Sequence, residues 1–261
     1  MAFFGLIVTI IVACIIGSLT GIGGGIIIKP VLDFIGVYAV KEISLYTSLA
    51  LIGMSLINMW SNRAKLRFMP WNILLSLTGG AIIGGVVGNR LLMFFLDTLG
   101  EETIVRIIQS SLLILLLSVT LYLKKREFSL ELQFGILVLV CIGMVLGTMA
   151  GLLSIGGGPI NVAILLLVFG FSMKVSALYS IMMILFSQLA SFSTVVVSTG
   201  LNDYAPLMLI AVFVTGVIGG VIGSKVSGRL STEMANRVFT YVFLGVISLN
   251  ALNIIRVSVG L

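Results

Sequence analysis

Charge is what this sequence has least of. Its 261 residues include only 15 Lys and Arg and nine Asp and Glu, 9% of the chain, where a soluble domain carries about 25%. A water-soluble globule this poor in charge cannot cover its own surface. Histidine is absent and there are two cysteines, Cys14 and Cys141. Zinc, haem and iron–sulfur centres therefore lack their usual ligands, and no Ser-His-Asp or Cys-His pair can form. No G-x-x-x-x-G-K-[ST] run is present, which excludes a P-loop ATPase. The few basic residues are too sparse for a nucleic-acid face. Both cysteines lie in apolar stretches and read as buried free thiols. The opening Met1-Ala2-Phe3-Phe4-Gly5 has no basic run and no clear cleavage site, so it reads as a retained helix.

Hydrophobic residues make up 59% of the chain, with a mean hydropathy of +1.27. This composition predicts an all-α, polytopic transmembrane helix bundle. Charge-free stretches mark the spans: 1–28, 43–62, 68–89, 107–123, 132–173, 175–202, 204–224 and 238–255. One crossing needs about 20 residues, so 132–173 is long enough for about two passes, and the total comes to about eight to ten membrane segments. Short hydrophilic runs punctuate them. Residues 61–67 are basic, Asp97 to Glu102 acidic, Lys124-Lys125-Arg126-Glu127 mostly basic, Asn202-Asp203 acidic, and Lys225 to Arg237 basic. Arg63, Lys65 and Arg67 followed by Trp71 read as a cytoplasmic boundary with an aromatic anchor, and Arg90 as a snorkelling side chain.

The chain repeats itself. Gly17-Ser18-Leu19-Thr20-Gly21-Ile22-Gly23-Gly24-Gly25 answers Gly147 to Gly151 followed by Ile155-Gly156-Gly157-Gly158, with a few extra residues in the second copy. Lys41 to Tyr46 answers Lys174 to Tyr179, and Gly84-Gly85 with Gly88 answers Gly219-Gly220 with Gly223. This divides the chain into a first transmembrane repeat (1–123), a cytoplasmic linker (124–131) and a second transmembrane repeat (132–261). Matching loops carry opposite charge: basic 61–67 against acidic 202–203, acidic 97–102 against basic 225–237. Under the positive-inside rule they face opposite sides, which makes the repeats inverted. Loops 61–67, 124–131 and 225–237 are then cytoplasmic and both termini external. Inversion requires an odd number of crossings per half. The segments flanking each glycine motif therefore either both cross, as a glycine-broken helix, or form a re-entrant hairpin.

Consecutive glycines cost roughly 1 kcal/mol each in a helix; in return they allow unusual backbone angles and close approach. Each motif reads as one helix ending, a glycine turn, and a second helix starting, with Pro159 in the first turn of the latter. Free N–H groups at a helix start suit a small anion, and two inverted motifs would meet near the midplane, as in secondary transporters. Tight helix packing is the plainer use of such glycines. It is also the reading for the small-xxx-small rows Gly80-Gly84-Gly88 and Gly216-Gly220. Gly23, Gly24, Gly25, Gly156, Gly157, Gly158, Pro159, Asn161, Ser154 and Lys29 are the candidate substrate-binding residues. Lys29 shares a helix face with Asp33, and an internal ion pair is its other reading. Tyr46, Tyr179, Asn58 and Gln188 are candidates for the pathway or its gates; the tyrosines equally suit interfacial anchors, and the amides bonds to neighbouring helices.

These paired glycine motifs, the prolines after them (Pro30 and Pro159), the size and the twofold repeat resemble the TauE/SafE sulfite exporter family over essentially the whole chain. The resemblance implies a secondary transporter, an exporter by the family's name, of a small sulfur-containing oxyanion or organosulfonate such as sulfite, thiosulfate or sulfoacetate. Alternating access would operate around a midplane site. Lys29, just before Pro30, departs from the apolar residue expected there. A passive anion channel and a non-transporting subunit of a membrane complex are the alternatives. An enzyme is not expected, because general acid–base groups are scarce, and neither is a cofactor or metal. The partners expected are a small anionic substrate and the lipid bilayer of the plasma (cell inner) membrane, with no nucleic acid. The coupling ion stays unassigned and a homodimer stays open.

Overall fold

The charge-free stretches form helices. A computed structural model describes residues 2–66, 70–125, 134–201 and 204–259, and all regular structure among them is helical. The helices are α1 (Ala2–Thr20), α2 (Gly25–Ile35), α3 (Val40–Ser61), α4 (Arg63–Leu66), α5 (Trp71–Leu99), α6 (Glu102–Lys125), α7 (Ile136–Leu153), α8 (Gly158–Leu167), α9 (Met173–Thr199), α10 (Pro206–Ser227) and α11 (Thr232–Val259). Eight of them, all but α2, α4 and α8, are long and apolar enough to cross a membrane. Large apolar side chains such as Phe4, Leu75, Leu137, Leu207 and Tyr241 stand exposed on the outside of the bundle. In water this surface would aggregate; in lipid the acyl chains solvate it.

The short helices settle how the chain passes its glycine breaks. After α1 the backbone doubles back. A Cβ added to Gly24 would lie 3.0 Å from the backbone of Ala13, and one on Gly17 would overlap Gly23 and Gly24. After α7 it does the same, because a Cβ on Gly157 would lie 2.7 Å from Ala150 Cβ. Both breaks are hairpins. The apolar stretch 132–173 is therefore not two full passes: α8 has 10 residues, about 15 Å at the helical rise, and returns only part of the way.

The register of the repeat differs from the one that glycine identity suggests. Gly21 and Ser154 occupy the same place in the two hairpins, both with left-handed backbone (φ 73° and 54°). Gly23 and Gly156 do likewise (φ 74° and 77°). Their spacing equals that of Tyr46 and Tyr179, so no extra residues separate the copies. Gly17 matches Ala150, not Gly147. Ser154 is the one non-glycine residue with positive φ among the described residues, a conformation that costs about 1–2 kcal/mol outside glycine.

Packing interlocks the two parts of the chain. Helix α5 lies along α7 and α9, and α10 lies along α1 and α3. The α5–α7 seam is backbone against backbone. Added Cβ atoms on Gly80, Gly84 and Gly88 would strike the carbonyls of Val140, Met144 and Thr148, and those on Gly143 and Gly147 the carbonyls of Leu77 and Ala81. This is the close-packing role expected of the small-residue rows, and it gains van der Waals contact where lipid offers no hydrophobic drive between helices. Of the two thiols, Cys14 is buried in the α1–α10 seam. Cys141, expected to be buried, is exposed on the lipid-facing side of α7.

Candidate functional site

The two hairpin tips meet each other. A side chain on Gly25 would overlap the carbonyl of Ile155, and one on Gly158 would overlap the carbonyl of Ile22. The contact is reciprocal, and so is its surround. Over Gly23 stand Ile184 and Leu51, and over Gly156 stand Leu51 and Ile184 in turn, with Gln188 beside them. Glycine is needed at the tips because each backbone is packed against the other. The glycine residues predicted as a site thus do converge at the centre of the bundle, and they touch one another there.

Polar side chains ring this crossing. Gln188 accepts a hydrogen bond from Ser48 Oγ at 2.8 Å, and its Nε2 is buried without a partner. Asn161 sits in the first turn of α8, donating its backbone N–H to Gly157 O at 2.8 Å; its Oδ1 is unpartnered, as is the hydroxyl of Ser154. Pro159 occupies the first turn of α8, as expected. Ser154 caps the end of α7 through its backbone N–H, which donates to the carbonyls of Ala150 and Gly151, while no side chain caps the start of α8 at Gly157. Unpaired polar atoms in a buried place cost about 1–3 kcal/mol each, which marks this ring as chemically unfinished.

Beside the first tip lies a cavity of about 390 Å³. It lies at the end of the bundle that carries Lys65 and Lys174, and it reaches Ser18, Thr20, Asn58 and Ala177. Ala177 is the residue pressed against Gly21, so the cavity stops next to the hairpin turn. Asn58 donates from Nδ2 to Ser18 Oγ at 2.8 Å and to Met54 O at 2.8 Å. With its oxygen accepting, the Ser18 hydroxyl keeps its own proton for another acceptor. Lys65 Nζ donates to Asn62 Oδ1 at 3.1 Å, on the same wall. Of the residues singled out in the sequence, Asn58 lines this cavity. Ser18, Asn62, Lys65 and Lys174 are site residues that sequence reasoning misses. By itself Lys65 signals only topology and Lys174 only a match to Lys41, and no local pattern says that the two meet.

Lys29 lies away from the cavity. Its Nζ pairs with Asp33 Oδ2 at 2.6 Å, and both side chains are 4% exposed. Asp33 Oδ1 also accepts from Arg106 Nη1 at 2.7 Å. Arg106 Nη2 donates to Tyr38 O at 2.6 Å and to Glu102 at 3.3 Å, while Glu102 Oε2 accepts the Val40 N–H at 3.1 Å. Two cations and two anions form a chain without net charge at the end of the bundle opposite the cavity. Beside it, burial and the Glu42 carboxylate push the Tyr38 phenol above its ordinary pKa. The tyrosines do not fit interfacial anchors. Tyr46 is 5% exposed and Tyr179 is fully buried. Tyr46 meets Tyr38 and Tyr204 edge-on, and Tyr179 stacks on Phe171 with centroids 5.1 Å apart. An anchor must reach the headgroups, and these rings are inside the bundle.

An eight-span helical bundle with two abutting hairpin tips and a cavity beside them defines a polytopic membrane protein of transporter type. The sulfite exporter TauE/SafE family matches residues 6–251, nearly the whole chain, and the chain belongs to that family. No curated protein and no solved structure matches it.

Proposed function

We propose that the protein is a secondary transporter that exports a small sulfur-containing oxyanion or organosulfonate, of the kind represented by sulfite, thiosulfate and sulfoacetate, across the plasma (cell inner) membrane. It moves its ligand unchanged. The chain is read as two inverted repeats, 1–123 and 132–261, joined by 124–131, most of which lies outside the described residues. Each half contains a hairpin that returns to its starting side and three further crossings, which gives the odd number that inversion needs. The basic segment 61–66 and the segment 228–231 then share the cytoplasmic face, and the cavity opens there. The acidic turn 202–203 lies outside the described residues.

The observation that carries this reading is the cavity itself, with two lysines at its cytoplasmic end and a proton-donating Ser18 at its inner wall. Lys65 and Lys174 raise the local concentration of anions. Ser18, held by Asn58, replaces part of the hydration that the anion gives up. The hairpin tips, with the backbone N–H groups of the α2 and α8 starts and the unpartnered groups of Ser154, Asn161 and Gln188, form the midplane site that the anion crosses. Glycine at positions 23–25 and 156–158 lets the tips approach closely. Lys29, paired to Asp33, serves the structure around this site and makes no direct contact with the anion.

Sulfite flux in proteoliposomes tests the proposal. Asn58→Leu, which leaves Ser18 without its donor, should lower the rate at least tenfold with the protein still folded. Lys174→Gln should raise KM several-fold at low salt and less at high salt, where charges are screened. Wild-type rates in Asn58→Leu, or no flux of any sulfur anion in the parent protein, would overturn it.

A further inference from the structure

We infer that the outer half of the transport path is the register image of the cytoplasmic cavity, and that Arg106 is the latch that holds it shut. The inference rests on the transporter reading above. The spacing that relates Gly23 to Gly156 and Tyr46 to Tyr179 relates the α3 and α9 walls of the cavity to places at the other end of the bundle. Met173 maps to Val40, Lys174 to Lys41, Ala177 to Ser44, Ile181 to Ser48, Asn58 to Ser191 and Asn62 to Val195. On the cytoplasmic side these positions surround open space. On the outer side Ser44 and Val195, the images of the partly exposed Ala177 and Asn62, are closed at 2% exposed, while Val40, Ser48 and Ser191 are as buried as their cavity counterparts Met173, Ile181 and Asn58. Val40 is packed with Leu92, Leu96 and Val105 in an apolar plug.

What lies behind the plug is not apolar. Ser44, Ser48 and Ser191 bring three hydroxyls into a buried region, although packing alone is better served by aliphatic side chains. Hydroxyls along a closed path are useful when the path opens and an anion or water passes. The register image of the lysine at the cytoplasmic mouth is also a lysine, Lys41, which lies 3.6 Å from Asp97 at the outer surface.

The ionic chain sits where a latch is needed. Arg106, in the first turns of α6, holds Asp33 of α2 and the carbonyl of Tyr38 in the loop before α3. Through Glu102 the same cluster holds the backbone of Val40, the first residue of the plug. Opening the path requires Arg106 to let go of α2 and of this loop. Asp33 then keeps Lys29 as its partner, so no lone charge is left in the membrane. Among the described residues the cytoplasmic end has no equivalent chain of buried ion pairs. At the positions matching Lys29 and Asp33 stand Val162 and Leu166, and that end is the open one. The cavity and the ion pairs are separate observations, and both break the twofold pattern in the same direction.

The test is thiol labelling in a Cys14→Ala, Cys141→Ser background, with a membrane-impermeant maleimide on vesicles of known orientation. Ser44→Cys and Ser191→Cys probe the outer path from outside, and Ala177→Cys probes the cavity from the cytoplasmic side. Arg106→Gln should raise labelling at both outer probes at least fivefold and lower it at Ala177→Cys. Glu102→Gln, a surface change that leaves the Asp33 contacts in place, should give a smaller rise and stands in if Arg106→Gln does not assemble. Unchanged labelling at both outer probes in these variants would overturn the latch. Sulfite flux is measured on the same vesicles to separate the two readings. Flux in the parent with no gain in labelling refutes the outer path and spares the transporter. A gain in labelling with no sulfur-anion flux supports the path and refutes the substrate.

Discussion

The two hairpins are built on one plan and secured in opposite ways. The first, α1 to α2, is tied by polar bonds along its returning helix. Pro30 stands inside α2, and its carbonyl accepts from Asn253 Nδ2 at 2.9 Å; Arg256 binds the carbonyl of Phe34; and the Lys29–Asp33–Arg106 chain fixes the middle. The second, α7 to α8, returns through an apolar helix that packs on α9 and α6. Its polar tie to α9 is at the tip, where Ser180 Oγ donates to Gly158 O at 3.3 Å. What the hairpins share is that tip, where backbone meets backbone. The difference teaches that the twofold plan is imposed where the halves touch and released elsewhere. Each hairpin is free to carry its own chemistry once its tip is in place.

The strongest way to break the comparison is to remove charge from the first hairpin. Asp33→Leu leaves Lys29 buried without a carboxylate and Arg106 with Glu102 alone, and a broken buried pair costs about 3–5 kcal/mol. The thermal midpoint in detergent should fall steeply. Lys29→Met with Asp33→Leu, which makes the first hairpin resemble the second, should recover much of that loss. If the double variant melts as low as the single one, Lys29 and Asp33 do not act as a unit.

Next comes the shared feature. Gly25→Ala and Gly158→Ala each set a methyl group against an opposing main-chain carbonyl that cannot swing away. Overpacking costs about 1–3 kcal/mol and sometimes more, and the two should lose stability and flux to a similar degree. A harmless substitution at either tip would show that the tips are not in contact. A smaller effect, of the opposite sign, is expected at Ser154. Ser154→Gly relieves a left-handed backbone and should stabilise by about 1 kcal/mol. It also removes an unpartnered hydroxyl near the proposed site, so flux should fall while the melting point rises. The smallest effect belongs to Cys141→Ser on the exposed face of α7, within about 0.5 kcal/mol of the parent, which makes it a sound background for the labelling experiment.

Much of this is legible in the residues. Length, hydropathy and the lack of charge imply the helical bundle, because a chain that cannot solvate itself in water has few other folds. The glycine motifs announce two breaks, since three adjacent glycines have no place inside a helix. Other features are not legible, for definite reasons. A hairpin and a broken crossing have the same local signal, and only contacts across the turn, Gly24 with Ala13 and Gly157 with Ala150, tell them apart. Aligning the repeat on glycine identity misleads where Ser154 holds the conformation of Gly21. Tyr46 and Tyr179 look like anchors because an amphipathic ring at a span end suits both an interface and an interior, and their partners Tyr204 and Phe171 come from other elements of the fold.

The sequence alone determined that the chain lives in a membrane, that it is built on a repeated plan, and that histidine chemistry is closed to it. These follow from composition and period, which are local and additive. The tertiary structure decided which residues share a cavity, which charge pairs with which, and which end of the bundle is open. Lys65 and Lys174 lie more than a hundred positions apart in the chain and line the same cavity. Asp33 of α2 finds Arg106 of α6. Such meetings are set by how helices dock, and docking depends on the backbone contacts that glycine permits.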